Sequence, residues 1–202
     1  VYRYLACHPI AHMPQIFKVY RGDRYLVVVE EYIEGSSLSE YLKEGTFEPF
    51  EAARIVRDLC CILNELHTLE CPIIHRDIKP SNVMLTKSGE VVLLDMNVAK
   101  WYDSEEKEDT RLLGTKDYAA PEQAGYGMKA SSDKTDIYAV GILLNVMLTG
   151  KLPKEKPAQG KLWDIIERCI SLDADTRYSA DELIERLDNY LGENTNAGKK
   201  DR

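Results

Sequence analysis

The chain has 202 residues, long enough for a sizeable hydrophobic core, and its 44% hydrophobic and 30% charged residues are ordinary for a globular protein. The net charge of −8 argues against nucleic acid or an anionic membrane surface as the main partner, and no apolar run approaches the roughly 20 residues of a membrane span. Five cysteines without a C-x-x-C pair indicate reduced thiols, so we expect a cytoplasmic protein.

Alternating apolar and polar side chains over residues 14–34 predict a β-hairpin. The strands are Ile16–Tyr20 and Tyr25–Val29, joined by a turn at residues 21–23. The turn sequence Arg-Gly-Asp also spells an adhesion motif, but in a chain with cytoplasmic features we interpret it as a turn.

Two helices are predicted next. Ser37 and Glu40 have the spacing of a capping box, which predicts a short helix to about Leu42. Apolar side chains then recur with a period near 3.6 over residues 49–68, which indicates a long amphipathic helix. That helix leads the chain into its most informative segment.

The octapeptide His75–Asn82 (HRDIKPSN) places six chemically specialised residues in eight positions. Asp77, Lys79 and Asn82 offer an acceptor for a hydroxyl proton, a cation for a γ-phosphate and a neutral oxygen ligand for Mg²⁺. The octapeptide resembles the catalytic loop of the protein kinases, H-R-D-x-x-x-x-N. This resemblance implies that these three residues are catalytic, that ATP is the co-substrate and that Mg²⁺ (or Mn²⁺) is the metal.

A second small hairpin is predicted from the runs 83–85 and 90–94, and it ends at Asp95. The tripeptide 95–97 (Asp-Met-Asn) resembles the kinase D-F-G motif, which makes Asp95 a catalytic residue and a metal ligand together with Asn82. Methionine keeps the apolar side chain of the motif. Asparagine departs further from glycine, although it tolerates left-handed backbone better than most residues, so we expect metal binding to be retained.

Residues 114–122 (GTKDYAAPE) resemble the kinase peptide-binding segment that ends in A-P-E. A loop that merely ends in proline is the alternative. Thr115 and Lys79 together resemble the serine/threonine branch of the family, in which both flank the catalytic Asp77. The resemblance therefore implies a protein substrate with serine or threonine hydroxyls.

Three further residues receive structural roles from the resemblance. Glu122 is expected to form a buried ion pair with Arg177, and Asp136 is expected to hold the backbone of the catalytic loop. Their loss should collapse the site without touching its chemistry.

The segment between Asp95 and Glu122 suggests regulation. Arg76 and Lys100 could form a pocket for a phosphothreonine, with Thr110 as the candidate phosphosite and Thr115 beside it. The acidic run 103–109 leaves two alternatives open, a solvated loop or carboxylates that occupy the same pocket without phosphorylation.

Residues 31–35 (EYIEG) resemble the kinase hinge, whose backbone at Glu31 and Ile33 binds adenine, with Met84 as the floor of that pocket. This alignment puts Glu30 at the gatekeeper position, where a buried carboxylate needs a partner. A lysine outside this chain could supply one, and a register slip of one residue is the alternative. The full set that the resemblance assigns to ATP is Glu31, Ile33, Lys79, Asn82, Met84 and Asp95.

Three helices are predicted in the second half, at 133–149, 161–171 and 179–191, the first of them apolar nearly all round and therefore buried. The expected fold class is mainly α (α+β), a protein-kinase-like C-terminal lobe with small β-hairpins and a truncated N-lobe remnant. The expected domains are an N-lobe remnant at 1–32, the C-lobe at 33–191 and a polar, frayed tail at 192–202.

Three features normally precede a kinase hinge: a Gly-rich loop, a phosphate-orienting lysine and a helix glutamate. Residues 1–30 contain none of these three. Because the chain also starts at Val1, we expect a piece of a longer protein that is weak or inactive alone. The short stretch between Gly150 and Cys169 predicts that a substrate-docking helix of the family is shortened or missing.

The favoured function is that of an ATP-dependent serine/threonine protein kinase. A pseudokinase or scaffold that binds a partner through the same fold is the alternative, motivated by Asn97, Glu30 and the missing segments. A small-molecule phosphotransferase is a weaker alternative, because those families lack a counterpart of residues 114–122.

Overall fold

The computed structural model describes residues 1–102, 115–124 and 131–197. The α-helices are α1 (Tyr2–Cys7), α2 (Leu38–Glu44), α3 (Pro49–His67), α4 (Asp133–Thr149), α5 (Lys161–Cys169) and α6 (Ala180–Ala197). The strands are β1 (Ile16–Arg21), β2 (Leu26–Glu30), β3 (Gly35–Ser37), β4 (Ile73–Ile74), β5 (Val83–Thr86), β6 (Val91–Leu93) and β7 (Lys100–Trp101). Short 3₁₀ turns lie at Pro80–Asn82, Pro121–Ala124 and Ala174–Thr176.

The core lies between the long helices, as the apolar patterns predict. Helix α3 packs one apolar face against α4 and α6, whereas α4 is buried on nearly every side. A capping box from Ser132 to Thr135 begins α4, and Gly150 ends it in the left-handed conformation. At Gly141 an added Cβ would lie 2.6 Å from the Cβ of Cys169, so glycine allows α5 to approach α4 closely.

The strands form three small antiparallel sheets, β1–β2, β3–β5–β6 and β4–β7. Both predicted hairpins and the predicted fold class are confirmed. The pairs β3–β5 and β4–β7 were not predicted, because strands of two or three residues are too short for a periodic pattern. In the first hairpin, the large apolar side chains of Phe17, Tyr25 and Val27 are exposed.

Three helix ends differ by two or more residues from the sequence predictions. Helix α2 ends at Glu44 rather than at about Leu42, and α5 ends at Cys169 rather than at 171. Helix α6 continues to Ala197 rather than ending at 191, although we expected a frayed tail from Glu193. Lys161 pairs with the Glu193 carboxylate, and Asn194 donates a hydrogen bond to the carbonyl of Tyr190. These contacts stabilise a last turn that is polar in sequence. Among the described residues, no helix is both long and apolar enough to cross a bilayer.

The connection between α4 and α5 contains turns and no helix, as the short spacing predicted. The fully buried Asn145 of α4 holds it in place. Its Nδ2 donates to the carbonyls of Lys151 (2.8 Å) and Lys156 (3.0 Å), and its Oδ1 accepts the Ala158 N–H (2.8 Å). One side chain therefore satisfies three backbone groups of this connection.

We expect Asn145→Ala to lower the free energy of unfolding by about 2–4 kcal/mol, because it leaves those three backbone groups without their partner. Urea denaturation followed by circular dichroism measures this. The matched control is Asn194→Ala, which removes an exposed amide and should cost less than about 0.5 kcal/mol. Equal effects of the two substitutions would contradict the assigned role of Asn145.

Candidate active site

The loop that carries Asp77 is held in place by Asp136 of helix α4. The backbone N–H groups of His75 (2.9 Å) and Arg76 (2.7 Å) donate to the Asp136 carboxylate, and His67 Nε2 lies 2.8 Å from it. Burial raises the pKa of Asp136, but the hydrogen bonds and charge of His67 and the Arg76 N–H outweigh burial, so the pKa lies below its ordinary value. The ionised carboxylate thereby holds Arg76 at a φ of 68°, a left-handed conformation that costs energy for a side chain with a Cβ.

Four donors converge on the Asp77 carboxylate. Thr115 donates its backbone N–H (2.9 Å) and its hydroxyl (2.8 Å) to Oδ1. Lys79 Nζ lies 2.6 Å from Oδ2, and Asn82 Nδ2 donates to the same oxygen at 3.1 Å. Lys79 also donates to the Thr115 hydroxyl at 2.9 Å, which closes a ring of three side chains. The structure thus brings together the four residues that the two motifs predicted.

The charge state of Asp77 follows from these contacts. Burial raises its pKa, but the hydrogen bonds from Lys79 and Thr115 and the positive charge of Lys79 outweigh that effect. The pKa therefore lies below its ordinary value, and Asp77 is a carboxylate at neutral pH. A carboxylate is the form that can accept a proton.

His75 connects this loop to the end of strand β6. Its Nε2 donates to the carbonyl of Leu94 at 3.0 Å, and its Nδ1 accepts the Asp77 N–H at 3.3 Å. These two bonds fit the neutral imidazole, and burial lowers the pKa of His75 below its ordinary value. His75 is therefore a neutral structural link rather than a second acid or base.

Asn82 and Asp95 are brought to the same edge of the site by the β5–β6 hairpin, because the Leu94 N–H donates to the Asn82 carbonyl at 2.8 Å. The Asn82 amide nitrogen donates two hydrogen bonds to Asp77, one to its backbone carbonyl at 2.9 Å and one to its carboxylate. The Asp95 Oδ1 accepts the Asn97 N–H at 3.0 Å. Asp95, at a φ of 65°, is the left-handed residue of this turn, whereas Asn97 has a negative φ.

The donor set of this edge fits a hard divalent cation. Asn82 Oδ1, which accepts a 3.3 Å hydrogen bond from Ser81, and the Asp95 carboxylate are oxygen ligands of the kind that Mg²⁺ prefers. In the described part of the chain no three His, Cys, Asp or Glu side chains gather into a metal cage. A metal held by only two protein oxygens requires phosphate and water oxygens to complete its coordination.

Glu122 and Arg177 form a bidentate ion pair in the interior. The distances are 2.7 Å from Nη1 to Oε1 and 3.0 Å from Nη2 to Oε2, and both side chains are buried. The Thr135 hydroxyl donates to Oε1 at 2.8 Å, and the guanidinium donates further to the carbonyls of Ser171 and Lys134. The pair therefore ties the segment after Thr115 to the helical core.

Gln123 is a site residue that sequence reasoning missed. Its side chain accepts the Ala120 N–H at 3.0 Å and donates to the Arg76 carbonyl at 2.8 Å, and only 3% of the residue is exposed. It thus bridges the peptide-binding segment and the catalytic loop. Its position directly after Glu122 places it close to the site. The sequence does not indicate, however, that this glutamine is buried.

The predicted hinge lies at the end of strand β2. The Glu31 N–H donates to the Gln15 carbonyl (2.8 Å), and the Glu31 carboxylate accepts the Gln15 N–H (3.1 Å). Ile33 follows in backbone without regular secondary structure. Met84 is partly exposed between the buried Val83 and Leu85, so its side chain faces away from the core. The structure thus leaves the adenine assignments of Glu31, Ile33 and Met84 as predictions.

Glu30 lies at the end of β2 and is exposed as a whole residue. Its carboxylate therefore does not need the buried partner that the sequence led us to expect. Glu30 pairs in register with Ile16, next to an irregularity between Ile16 and Lys18. Glu30, Tyr2 and Asp95 nevertheless line one small cavity. The part of Glu30 that is shielded from water and the negative charge of Asp95 raise the pKa of Glu30. Burial and the charge of Asp95 raise the pKa of Tyr2 to about 12.

The proposed regulatory residues are only partly within the described structure. Arg76 Nε donates to the Val98 carbonyl at 2.7 Å, and Lys100 belongs to β7, where it pairs with Ile74. Thr110 and the acidic run 103–109 lie outside the described residues. The phosphothreonine pocket therefore stays a prediction from the sequence.

Most of the chain is similar to known proteins of one family. A family profile described as "Protein kinase domain" matches residues 3–187. Serine/threonine-protein kinase PrkC of Bacillus subtilis is 35% identical over 145 residues, and probable serine/threonine-protein kinase PknB of Corynebacterium glutamicum is 37% identical over 132 residues. Mitogen-activated protein kinase kinase 1 of Arabidopsis thaliana is 29% identical over 191 residues.

These matches cover 69%, 63% and 78% of this chain, but only 22%, 20% and 52% of the respective relatives. The chain therefore spans between about a fifth and about half of the length of these relatives.

Proposed function

The chain belongs to the protein kinase family, and from this premise we propose that the protein transfers the γ-phosphoryl group of ATP to serine and threonine hydroxyls of other proteins. The family uses ATP as co-substrate together with a divalent metal. The observation that carries the proposal is the convergence of Thr115, Lys79 and Asn82 on the Asp77 carboxylate. A partner-binding scaffold would have no need of that arrangement.

The proposed mechanism assigns one task to each side chain. Asp77 orients the substrate hydroxyl and accepts its proton while the oxygen attacks the γ-phosphorus, and the bond to the β–γ bridging oxygen breaks to release ADP. Thr115 holds Asp77 in position through its two hydrogen bonds. Asn82 and Asp95 would hold Mg²⁺, which when bound neutralises phosphate charge.

Lys79 has to change its contacts during this cycle. A carboxylate offers about four lone-pair sites, and four donors already occupy those of Asp77. The substrate hydroxyl therefore needs one of these donors to leave. Lys79 is the donor with a competing anion, since the γ-phosphate of bound ATP attracts the same ammonium group.

The location proposed for this activity is the cytoplasm. All five cysteines of the chain are free thiols in the structure, in agreement with a reducing environment. Adenine would be bound by the backbone at Glu31 and Ile33 above Met84, as the hinge resemblance implies.

The test is phosphoryl transfer from radiolabelled ATP and Mg²⁺ to a generic protein substrate, followed by phosphoamino-acid analysis. We expect the full-length protein to yield phosphoserine or phosphothreonine. Asp95→Asn is expected to lower the rate by at least about 100-fold, since it removes charge from the metal site. Equal background counts for both proteins would favour the scaffold alternative, and transfer to small alcohols alone would favour a small-molecule phosphotransferase.

A further inference from the structure

The hydroxyl of Tyr2 on helix α1 makes two hydrogen bonds to the turn that follows Asp95. It accepts the backbone N–H of Met96 at 3.0 Å and donates to the side-chain Oδ1 of Asn97 at 3.2 Å. These bonds join residues more than 90 positions apart in the chain. One hydroxyl thus acts as both donor and acceptor toward the segment that carries the candidate metal ligand.

The same turn is held internally by Asn97. Its backbone N–H donates to the Asp95 Oδ1, while its side-chain oxygen accepts from Tyr2. A glycine at this position would keep the first bond and lose the second, because it has no side-chain oxygen. Asn97 therefore links Tyr2 to Asp95 in a continuous chain of hydrogen bonds.

Helix α1 is itself anchored, so the Tyr2 hydroxyl is a fixed point. Leu5 is 4% exposed and belongs to the core. The Tyr4 ring stacks on His8 with centroids 4.3 Å apart and meets Trp101 of β7 edge-on at 5.0 Å. Tyr2 and Tyr4 consequently contact the two ends of the segment 96–101.

We propose that Tyr2 is a positioning residue whose hydroxyl, through Met96 and Asn97, orients the Asp95 carboxylate for metal binding. The inference rests on the proposed function, in which Asp95 is a metal ligand. It also gives Asn97, a departure from the family motif, a specific task. The strained φ of 65° at Asp95 is a conformation that needs such external support.

The test compares Tyr2→Phe with Tyr4→Phe in the full-length protein. Each substitution removes one hydroxyl from the same helix, but the contacts described for Tyr4 are made by its ring. In Tyr2→Phe we expect amide hydrogen exchange at Met96 to become at least about tenfold faster in the metal-free protein, because that N–H loses its acceptor. Tyr4→Phe should leave the Met96 rate unchanged.

The second readout is the Mg²⁺ concentration that gives half-maximal phosphoryl transfer. We expect Tyr2→Phe to raise it about tenfold, the equivalent of one lost hydrogen bond, and to leave kcat at saturating Mg²⁺ close to the original value. Asn97→Gly, which loses one of the two bonds to Tyr2, should give an intermediate shift. A merely structural role would lower kcat or stability and leave the Mg²⁺ requirement unchanged.

The possible failures are distinguishable. If Met96 exchange and the Mg²⁺ requirement of Tyr2→Phe match those of Tyr4→Phe while Asp95→Asn still abolishes transfer, the positioning role of Tyr2 is wrong and the proposed function stands. If Asp95→Asn leaves the Mg²⁺ dependence unaltered, Asp95 is not a metal ligand, and the inference about Tyr2 is overturned with it.

Discussion

Asp77→Asn is expected to lower kcat for phosphoryl transfer by about 10²- to 10⁴-fold, the range of a lost general base. Asparagine has nearly the same shape and keeps one oxygen, so the ring with Thr115 and Lys79 can persist in part. What is lost is the negative charge that accepts the proton and pairs with Lys79 at 2.6 Å. The measurement is the steady-state rate at saturating ATP and Mg²⁺.

The matched control for this substitution is Thr115→Ser, which retains both the N–H and the hydroxyl that donate to Asp77. We expect it to keep activity within about tenfold. An Asp77→Asn protein that is folded and as active as Thr115→Ser would show that another group accepts the proton, and would contradict the mechanism.

Arg177→Met is expected to lower the free energy of unfolding by about 3–5 kcal/mol, because it leaves the buried Glu122 carboxylate without its cation. The lost bonds to the carbonyls of Ser171 and Lys134 act in the same direction. Equilibrium denaturation in urea gives the value. The double variant Glu122→Met with Arg177→Met removes both charges and should cost less than the single one.

The control for charge removal alone is Arg57→Met. Arg57 pairs with Asp188 at 2.9 Å at the surface, where side chains are 38% and 48% exposed, so the expected loss is below about 1 kcal/mol. If Arg177→Met cost no more than Arg57→Met, the interior pair would not be a structural tie between the peptide-binding segment and the core.

The site residues that could be predicted belong to short sequence motifs. The octapeptide at 75–82 and the segment ending at Glu122 each contain several characteristic residue types at a set spacing. The long helices could be predicted from the periodicity of their apolar residues. The structure brings Asp77, Lys79, Asn82 and Thr115 together as those motifs implied.

The residues that escaped prediction act through single contacts between distant parts of the chain. Helix α1 has six residues, too few for a helical period to be recognised, so nothing pointed from Tyr2 to Asn97. Gln123 and Asn145 are buried polar side chains that stabilise the structure through hydrogen bonds to backbone groups. The identity of those groups depends on tertiary packing and is not encoded in local spacing.

The four donors around Asp77 have a consequence for the end of the reaction cycle. Without nucleotide, all of the usual acceptor sites of this carboxylate are engaged. Under the proposed mechanism a site becomes vacant when the γ-phosphate of ATP attracts the Lys79 ammonium group. ADP has no γ-phosphate, so after transfer Lys79 would return to Asp77 and occupy that site again.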